Sequence, residues 1–292
     1  MHLLNADLHS HSIFSDGTLT PEALADRAKA NGVQLWALTD HDDLSGQARA
    51  RRAAGALGID LLAGVEISTT FAGETIHIVG LGIDPENAAL REGLAGIRAG
   101  RGERARTMAE GLRRVGIADA YEGAARYVGN PELVSRTHFA RFLVETGVCS
   151  SMCDVFRRFL TEGKPGHAPH RWAGVGEAVG WICGAGGLAV IVHPARYKLT
   201  PNEEWALFLE FKNHGGAAVE VVCASHYPSD VEKYADYALE FDLLASRGSD
   251  FHDPVESRVD IGGTGNLPGR VRPVWEALEH RIVRAEPIAE SA

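Results

Sequence analysis

Apolar runs and amphipathic stretches alternate from the start of the chain. Leu3–Leu8 reads as a short strand, and because alternate strand side chains share a face, Asp7, His9 and His11 point the same way. Thr20-Pro21-Glu22 has the form of an N-cap, a first-turn proline and an acidic first turn, opening a helix to about Asn31 that Gly32 ends. Val33–Thr39 is a nearly continuous apolar run of the kind that fills a parallel sheet. An Ala- and Arg-rich helix follows from Ser45 to about Leu57. Two further strands, Ile59–Val65 and Thr75–Leu81, close the first segment.

The rhythm then breaks. Residues 88–185 carry helical patterns and no convincing apolar strand. Alternation resumes with strands at 187–192, 217–222 and 243–246, separated by helices at about 201–213 and 229–241, and a short helix begins near Arg272. Seven βα-like units predict an α/β chain with a parallel barrel and right-handed crossovers. The barrel would comprise residues 1–87 and 186–292, with 88–185 a helical insertion forming part of the substrate site.

What ends these strands is unusual. His9 and His11 lie at the end of the first, His41 at the second, Glu66 at the third and His193 at the fifth; Asp250 and His252 follow the seventh. His77 is the exception, falling inside its strand. Parallel barrels gather their active sites at the C-terminal ends of the strands, where loops converge. Imidazoles and carboxylates in place of Leu and Val at these positions predict a metal cluster, and such mixed donors suit manganese, zinc or iron.

Composition narrows the class. The 292 residues include 45% hydrophobic and 23% charged side chains, ordinary for a globular enzyme. No apolar run reaches the roughly 18 residues of a membrane span and no basic-then-apolar leader opens the chain, so a cytoplasmic protein without membrane contact is expected. Cys149, Cys153, Cys183 and Cys223 are few and irregularly spaced and read as reduced structural thiols. The formal net charge is −10, yet residues 98–172 hold 13 Arg and Lys against 8 Asp and Glu. A basic segment in an acidic body predicts that the segment faces an anion.

Asp7-Leu-His9-Ser-His11-Ser12, Asp16-Gly17, Thr39-Asp40-His41, Gly64-Val65-Glu66, His77, His193-Pro194 and Ser249-Asp250-Phe251-His252 together resemble the ordered motifs of the polymerase-and-histidinol-phosphatase (PHP) family. The resemblance implies a distorted seven-stranded barrel holding up to three divalent metals, manganese being the first expectation and zinc or iron the alternatives. It places one metal on His9, His11, Glu66 and Asp250, a second on Glu66, His77 and His193, and a third on Asp16, His41 and His252. Some members carry histidine where Asp16 stands, which sets this third site apart. Glu66 and Asp250 are the expected catalytic carboxylates, and Asp7, Asp40 and Asp42 are expected either to orient ligand histidines or to serve a plain structural role.

The substrate is expected to be read by the insertion. Arg101, Arg104, Ser135, Arg136, His138, Lys164 and Arg171 offer cationic and hydroxyl groups suited to a second phosphate, and Asn266, in the glycine-rich stretch after the last strand, a contact to base or sugar. A barrel of this length with this insertion is similar to the PHP subgroup that removes the 3′-phosphate of nucleoside 3′,5′-bisphosphates and trims short RNA from its 5′ end. The resemblance therefore implies a nucleotide phosphatase. The alternatives are a 5′→3′ exoribonuclease on short RNA, a histidinol-phosphate phosphatase, and a metal-stabilised binding module. No stable protein partner is evident.

Overall fold

The computed structural model describes residues 4–285; Leu3, at the head of the first expected strand, lies outside them. The strands are β1 (Ala6–Asp7), β2 (Leu35–Leu38), β3 (Asp60–Phe71), β4 (Glu74–Leu81), β5 (Ala173–Gly174), β6 (Leu188–Ile191), β7 (Ala218–Cys223) and β8 (Leu244–Gly248). They pair in the order β1-β2-β3-β4-β6-β7-β8, with the two-residue β5 added beside the end of β3. Leu8 N donates to Arg247 O at 3.1 Å and His11 N to Phe251 O at 2.8 Å, so the last strand returns beside the first and nearly closes a seven-stranded barrel.

Helices α1 (Pro21–Ala30) and α2 (Gln47–Leu57) cover the first strands. The α1 start is built as the sequence predicts: Thr20 Oγ1 accepts from Ala23 N, and Pro21 occupies the first turn. In the long insertion come α3 (Ala88–Arg114), α4 (Ala120–Ala125), α5 (Arg136–Glu145) and α6 (Met152–Val155), and then α7 (Val175–Gly184). Helices α8 (Pro201–Asn213), α9 (Pro228–Glu240) and α10 (Val274–Ala277) complete the chain. Inward-facing Ala6, Leu35, Leu62, Val79 and Val190 pack with Val274 and Leu278 into one buried cluster, so the short C-terminal helix helps fill the barrel.

The barrel is not wholly parallel. Strands β3 and β4 form an antiparallel hairpin through Ala72-Gly73, and β4 is also antiparallel to β6. Eight residues at most separate Glu66 from Thr75 in the sequence reading, too few for the dozen or more that a parallel crossover needs. The reversal accounts for His77. Because β4 runs the opposite way, its first half lies at the end of the barrel where its neighbours finish, and Ser68 is the register partner of His77.

The insertion has its own apolar core, made by Ala105, Met108 and Leu112 of α3 with Phe139, Leu143, Val155 and Leu160. The first half of α3 (Leu90, Leu94, Ile97) and all of α7 (Val175, Val179, Ile182) pack instead with Ile67, Ile78 and Ile191 on the outside of the barrel. The separate core thus spans less than 88–185, and the long helix α3 bridges the two cores.

Candidate metal and phosphate site

One carboxylate organises the polar end of the barrel. Glu66, fully buried on β3, has its Oε1 2.8 Å from His77 Nδ1 and 3.0 Å from His193 Nε2. Its Oε2 lies 3.2 Å from His9 Nε2, 3.1 Å from His11 Nε2 and 3.1 Å from His41 Nδ1. Asp250 Oδ1 stands 3.4 Å from His9 Nε2 and 3.3 Å from His11 Nε2, and Asp16 Oδ1 is 3.2 Å from His252 Nε2. All nine expected ligand side chains are therefore brought together.

Their grouping reproduces the first expected set and differs from the expected partition in the other two. His9, His11, Glu66 and Asp250 form one set of converging donors; His11, Asp16, His41 and His252 form another; His41, Glu66 and His77 form a third. His11 and His41 are each shared between sets, and His193 joins through Glu66 Oε1.

These groups fit cations better than they fit one another. Atoms with no hydrogen-bond partner, although buried, include His9 Nε2, His11 Nε2, His41 Nδ1, His77 Nδ1, Asp16 Oδ1 and Glu66 Oε2. Burial alone pushes the Glu66 carboxyl up, but the imidazoles of His41, His77 and His9 hold it well below the usual carboxylate range. Asp16 and Asp250 behave alike, through His252 and His41 in one case and His9 and His11 in the other. Three ionised carboxylates among clustered ring nitrogens are a donor set for divalent cations.

Backbone geometry and glycine make the convergence possible. His193 (φ 35°) and Asp250 (φ 52°) both take left-handed conformations at the ends of β6 and β8, places where strain is tolerated when it aims a functional group. A Cβ on Gly248 would come 2.3 Å from His9 Cβ, so β8 approaches β1 this closely only at glycine.

The supporting carboxylates serve the backbone and hydroxyls around the histidines, Asp40 reaching the His11 ring only through Ser15. Asp7 accepts from the backbone of Ser249 and Gly262, Asp40 from Ser12 and Ser15, and Asp42 from Ser68 and Arg101; none of them bonds a histidine ring. Glu220 does so, and the sequence reading passed over it. Its Oε1 accepts from His9 Nδ1 at 3.0 Å and its Oε2 from His193 N at 2.7 Å. Alternation along β7 turns Glu220 to the same inward face as Ala218, while Val219 and Val221 pack outside the barrel. The available signal was a lone acid within the run Ala217–Val222.

The cleft above the histidines is lined by Arg101, Arg104, Ser135 and Arg136 from the insertion, and by Arg196 from the loop after β6. Arg196, which sequence reasoning missed, bonds Asp250 Oδ2 through Nη1 at 2.8 Å. Arg101 is buried against Asp42 and Ser68, with its guanidinium 4.8 Å from the Trp172 ring. Arg104 and Arg136 have no carboxylate partner among the described residues: Arg104 donates to Ala168 O at 3.3 Å, and Arg136 lies 5.9 Å over Phe156. Burial, then repulsion from Arg136 and Arg101, pushes the Arg104 guanidinium down to about 9. Burial and the neighbouring Arg196 and Arg101 depress Arg136 in the same direction. Unpaired, desolvated cations beside a metal site are poised for an anion.

Four expected substrate contacts lie elsewhere. His138 is buried as the third residue of α5, where its Nδ1 accepts from Ser135 N in a capping arrangement. Lys164 is exposed in the turn closed by its own N–H to Thr161 O, and exposed Arg171 faces the outer depression between α3 and α7. Asn266 accepts from Arg247 Nη1 at 3.1 Å and braces the end of β8, away from the cleft. Local basic or polar composition had placed these residues, and tertiary packing uses them otherwise.

The PHP domain family model matches residues 7–127. The chain is 51% identical over 282 residues to a 3′,5′-nucleoside bisphosphate phosphatase of Chromobacterium violaceum, covering 97% of this chain and 99% of that one. It is 42% identical over 275 residues to the 5′-3′ exoribonuclease Rnm of Escherichia coli, covering 94% and 93%. A solved structure from Bifidobacterium adolescentis, assigned as a metal-dependent phosphoesterase, superposes with a TM-score of 0.79 at 26% identity and 97% coverage of both chains. No helix of the described residues is long and apolar enough to cross a membrane.

Proposed function

We propose, because this chain belongs to the PHP-domain family of metal-dependent phosphoesterases, that it removes the 3′-phosphate of nucleoside 3′,5′-bisphosphates. The products are the nucleoside 5′-monophosphate and inorganic phosphate. The observation that carries this reading is the pair of guanidiniums without a carboxylate partner among the described residues, Arg104 and Arg136, facing the donor cluster across one cleft. A substrate with two phosphates satisfies both halves of that cleft. A histidinol phosphate, with one phosphate and a cationic amine, leaves the arginines unpaired and brings a like charge against them.

His9, His11, Glu66 and Asp250 would hold one divalent ion, Glu66 with His77, His41 and His193 a second, and Asp16 with His11, His41 and His252 a third. Such ions supply Lewis-acid polarisation of the phosphoryl oxygens and acidify water at neutral pH. Manganese is the proposed ion, zinc and iron being compatible with the same donors. The chain's own groups do the positioning. Glu220 fixes the ring of His9 and the backbone of His193. Asp250, held ionised with Oδ2 on Arg196, keeps Oδ1 turned toward the cluster, where it can orient the attacking water.

Arg104 and Arg136 take the 5′-phosphate, aided by the N-terminal turn of α5 that follows Ser135. Filling this subsite relieves the mutual repulsion of the arginines, which is binding energy available for holding the 3′-phosphoryl group in place. The insertion 88–185 is thus proposed to select the substrate, while the barrel performs the chemistry.

The test is phosphate release from adenosine 3′,5′-bisphosphate against histidinol phosphate, with the nucleotide product identified. Faster release from the bisphosphate, giving the 5′-monophosphate, is the expected result. Faster turnover of histidinol phosphate would overturn the assignment.

A further inference from the structure

One hydroxyl stands where the strand ladder beside the donor cluster should close. Strands β4 and β6 pair as far as Ile78 with Ile191, so the next pair in register is His77 with Val192. Antiparallel residues in a bonded pair exchange two N–H···O bonds. Here one of them is made directly, from Val192 N to His77 O, and it is long at 3.4 Å. The other is relayed. His77 N donates to the Tyr197 hydroxyl at 2.9 Å, and that hydroxyl donates to Val192 O at 2.8 Å. Two bonds in series span more than one, so β4 and β6 stand farther apart at this pair than a direct bond would hold them.

Local turns bring the hydroxyl there. His193 takes its left-handed conformation directly after Val192, and Pro194–Arg196 form a single 3₁₀ turn. The turn folds Tyr197 back against the end of its own strand, five residues after the carbonyl that it meets. Its ring packs against the apolar core outside the barrel and lies edge-on to the His193 ring at 5.6 Å. The two residues beside the gap are both members of the donor cluster. His77 Nδ1 and His193 Nε2 meet on the same oxygen, Glu66 Oε1, at 2.8 and 3.0 Å, with their ring centres 5.3 Å apart. On its other edge β4 is held to β3, where Ser68 is in register with His77. The width of the β4–β6 gap is therefore what sets the distance between these two rings.

We propose that Tyr197 is a positioning residue whose hydroxyl acts as a spacer, holding His77 and His193 apart for the divalent ion that they share with Glu66. This role rests on the metal reading above and is independent of the substrate. Without the hydroxyl, His77 N and Val192 O are left to bond each other. That bond draws His77 toward β6 and closes the space between the two rings. A ring that only filled volume could be replaced by phenylalanine without effect on the ion.

Tyr197→Phe keeps the ring and removes the spacer. Manganese titration calorimetry on the metal-free protein compares it with the wild type and with two reference variants. His77→Ala deletes a ligand of the shared ion, and Asp16→Ala deletes a ligand of the third. Tyr197→Phe is expected to weaken the binding step that His77→Ala loses by about tenfold or more, the usual cost of disturbing a ligand's support. The step lost in Asp16→Ala should be unchanged. Tyr234→Phe controls for stability, because its hydroxyl donates to Glu204 at 2.7 Å in the buried contact between α8 and α9. Its loss should lower the metal-free thermal midpoint and leave every binding step in place. Unchanged manganese binding in Tyr197→Phe, as when a water takes the hydroxyl's place, overturns the spacer. Equal weakening of all steps alongside a lower metal-free midpoint, the mark of a structural role, overturns it too. A wild-type protein that binds no manganese would overturn the metal reading, and the spacer with it.

Discussion

Glu220 Oε1 accepts a hydrogen bond from His9 Nδ1 at 3.0 Å while its Oε2 accepts the backbone N–H of His193 at 2.7 Å, both bonds fully buried. The bond to Glu220 engages His9 Nδ1 and turns the opposite ring nitrogen, Nε2, toward Glu66 and Asp250. The second bond steadies His193 in its left-handed conformation. One side chain therefore braces a ring and a backbone turn that serve different parts of the donor cluster.

Removing that brace should weaken metal binding without unfolding the barrel. Glu220→Ala is expected to lose about 10- to 100-fold in affinity for divalent manganese, the usual cost of a lost outer carboxylate. Glu220→Gln, which keeps one acceptor, should fall between. Titration calorimetry, with the thermal midpoint of the metal-free protein measured alongside, separates the cases. Wild-type affinity in folded Glu220→Ala would refute the bracing role.

Gly248 should tolerate no side chain. Its added Cβ would meet His9 Cβ at 2.3 Å and His9 N at 2.7 Å, contacts that only a shift of β1 or β8 relieves. Overpacking of this kind costs about 1–3 kcal/mol. Gly248→Ala should lower the urea midpoint by that equivalent at unchanged m-value and weaken metal binding with it. An unchanged midpoint would mean that the two strands do not meet this closely.

Acid should destabilise the protein in part through His138. Burial lowers its pKa to about 4, against 6.5 for an ordinary histidine. Between those values the unfolded chain binds a proton that the folded chain refuses, so stability present above pH 6.5 is lost as pH falls toward 4. At about 1.4 kcal/mol per unit this comes to roughly 3.5 kcal/mol. His138→Gln can still accept from Ser135 N, and its denaturation free energy should fall less steeply over pH 6.5–4 than that of the wild type. Parallel pH curves for the two proteins would remove His138 from the account.

The sequence displayed the site more fully than the scaffold's details. His9, His11, His41, Glu66, His193, Asp250 and His252 were legible because a polar residue at the end of an apolar run contradicts burial unless chemistry uses it. The antiparallel β3–β4 hairpin was harder to see, since a short loop and the Ala72-Gly73 turn were its only signals, and its direction is what places His77 correctly. Glu220 hid inside a strand that reads as apolar core. Lys164, Arg171 and Asn266 show the opposite error. Charge or polarity in a turn says nothing of the direction a side chain takes once Gly166 packs beneath α3 and Arg247 claims Asn266.

Recognition of a second phosphate is the claim on which the substrate assignment depends. The direct measurement is kcat/KM for adenosine 3′,5′-bisphosphate relative to adenosine 3′-monophosphate, in the wild type and in Arg136→Ala, at one manganese concentration. Charge-assisted contacts contribute about 1.5–3 kcal/mol each, so two arginines predict a wild-type preference on the order of 100-fold or more for the bisphosphate. In Arg136→Ala that preference should shrink at least tenfold, chiefly through a higher KM. Equal rates on the two nucleotides in the wild type, or a preference that survives Arg136→Ala intact, would contradict it.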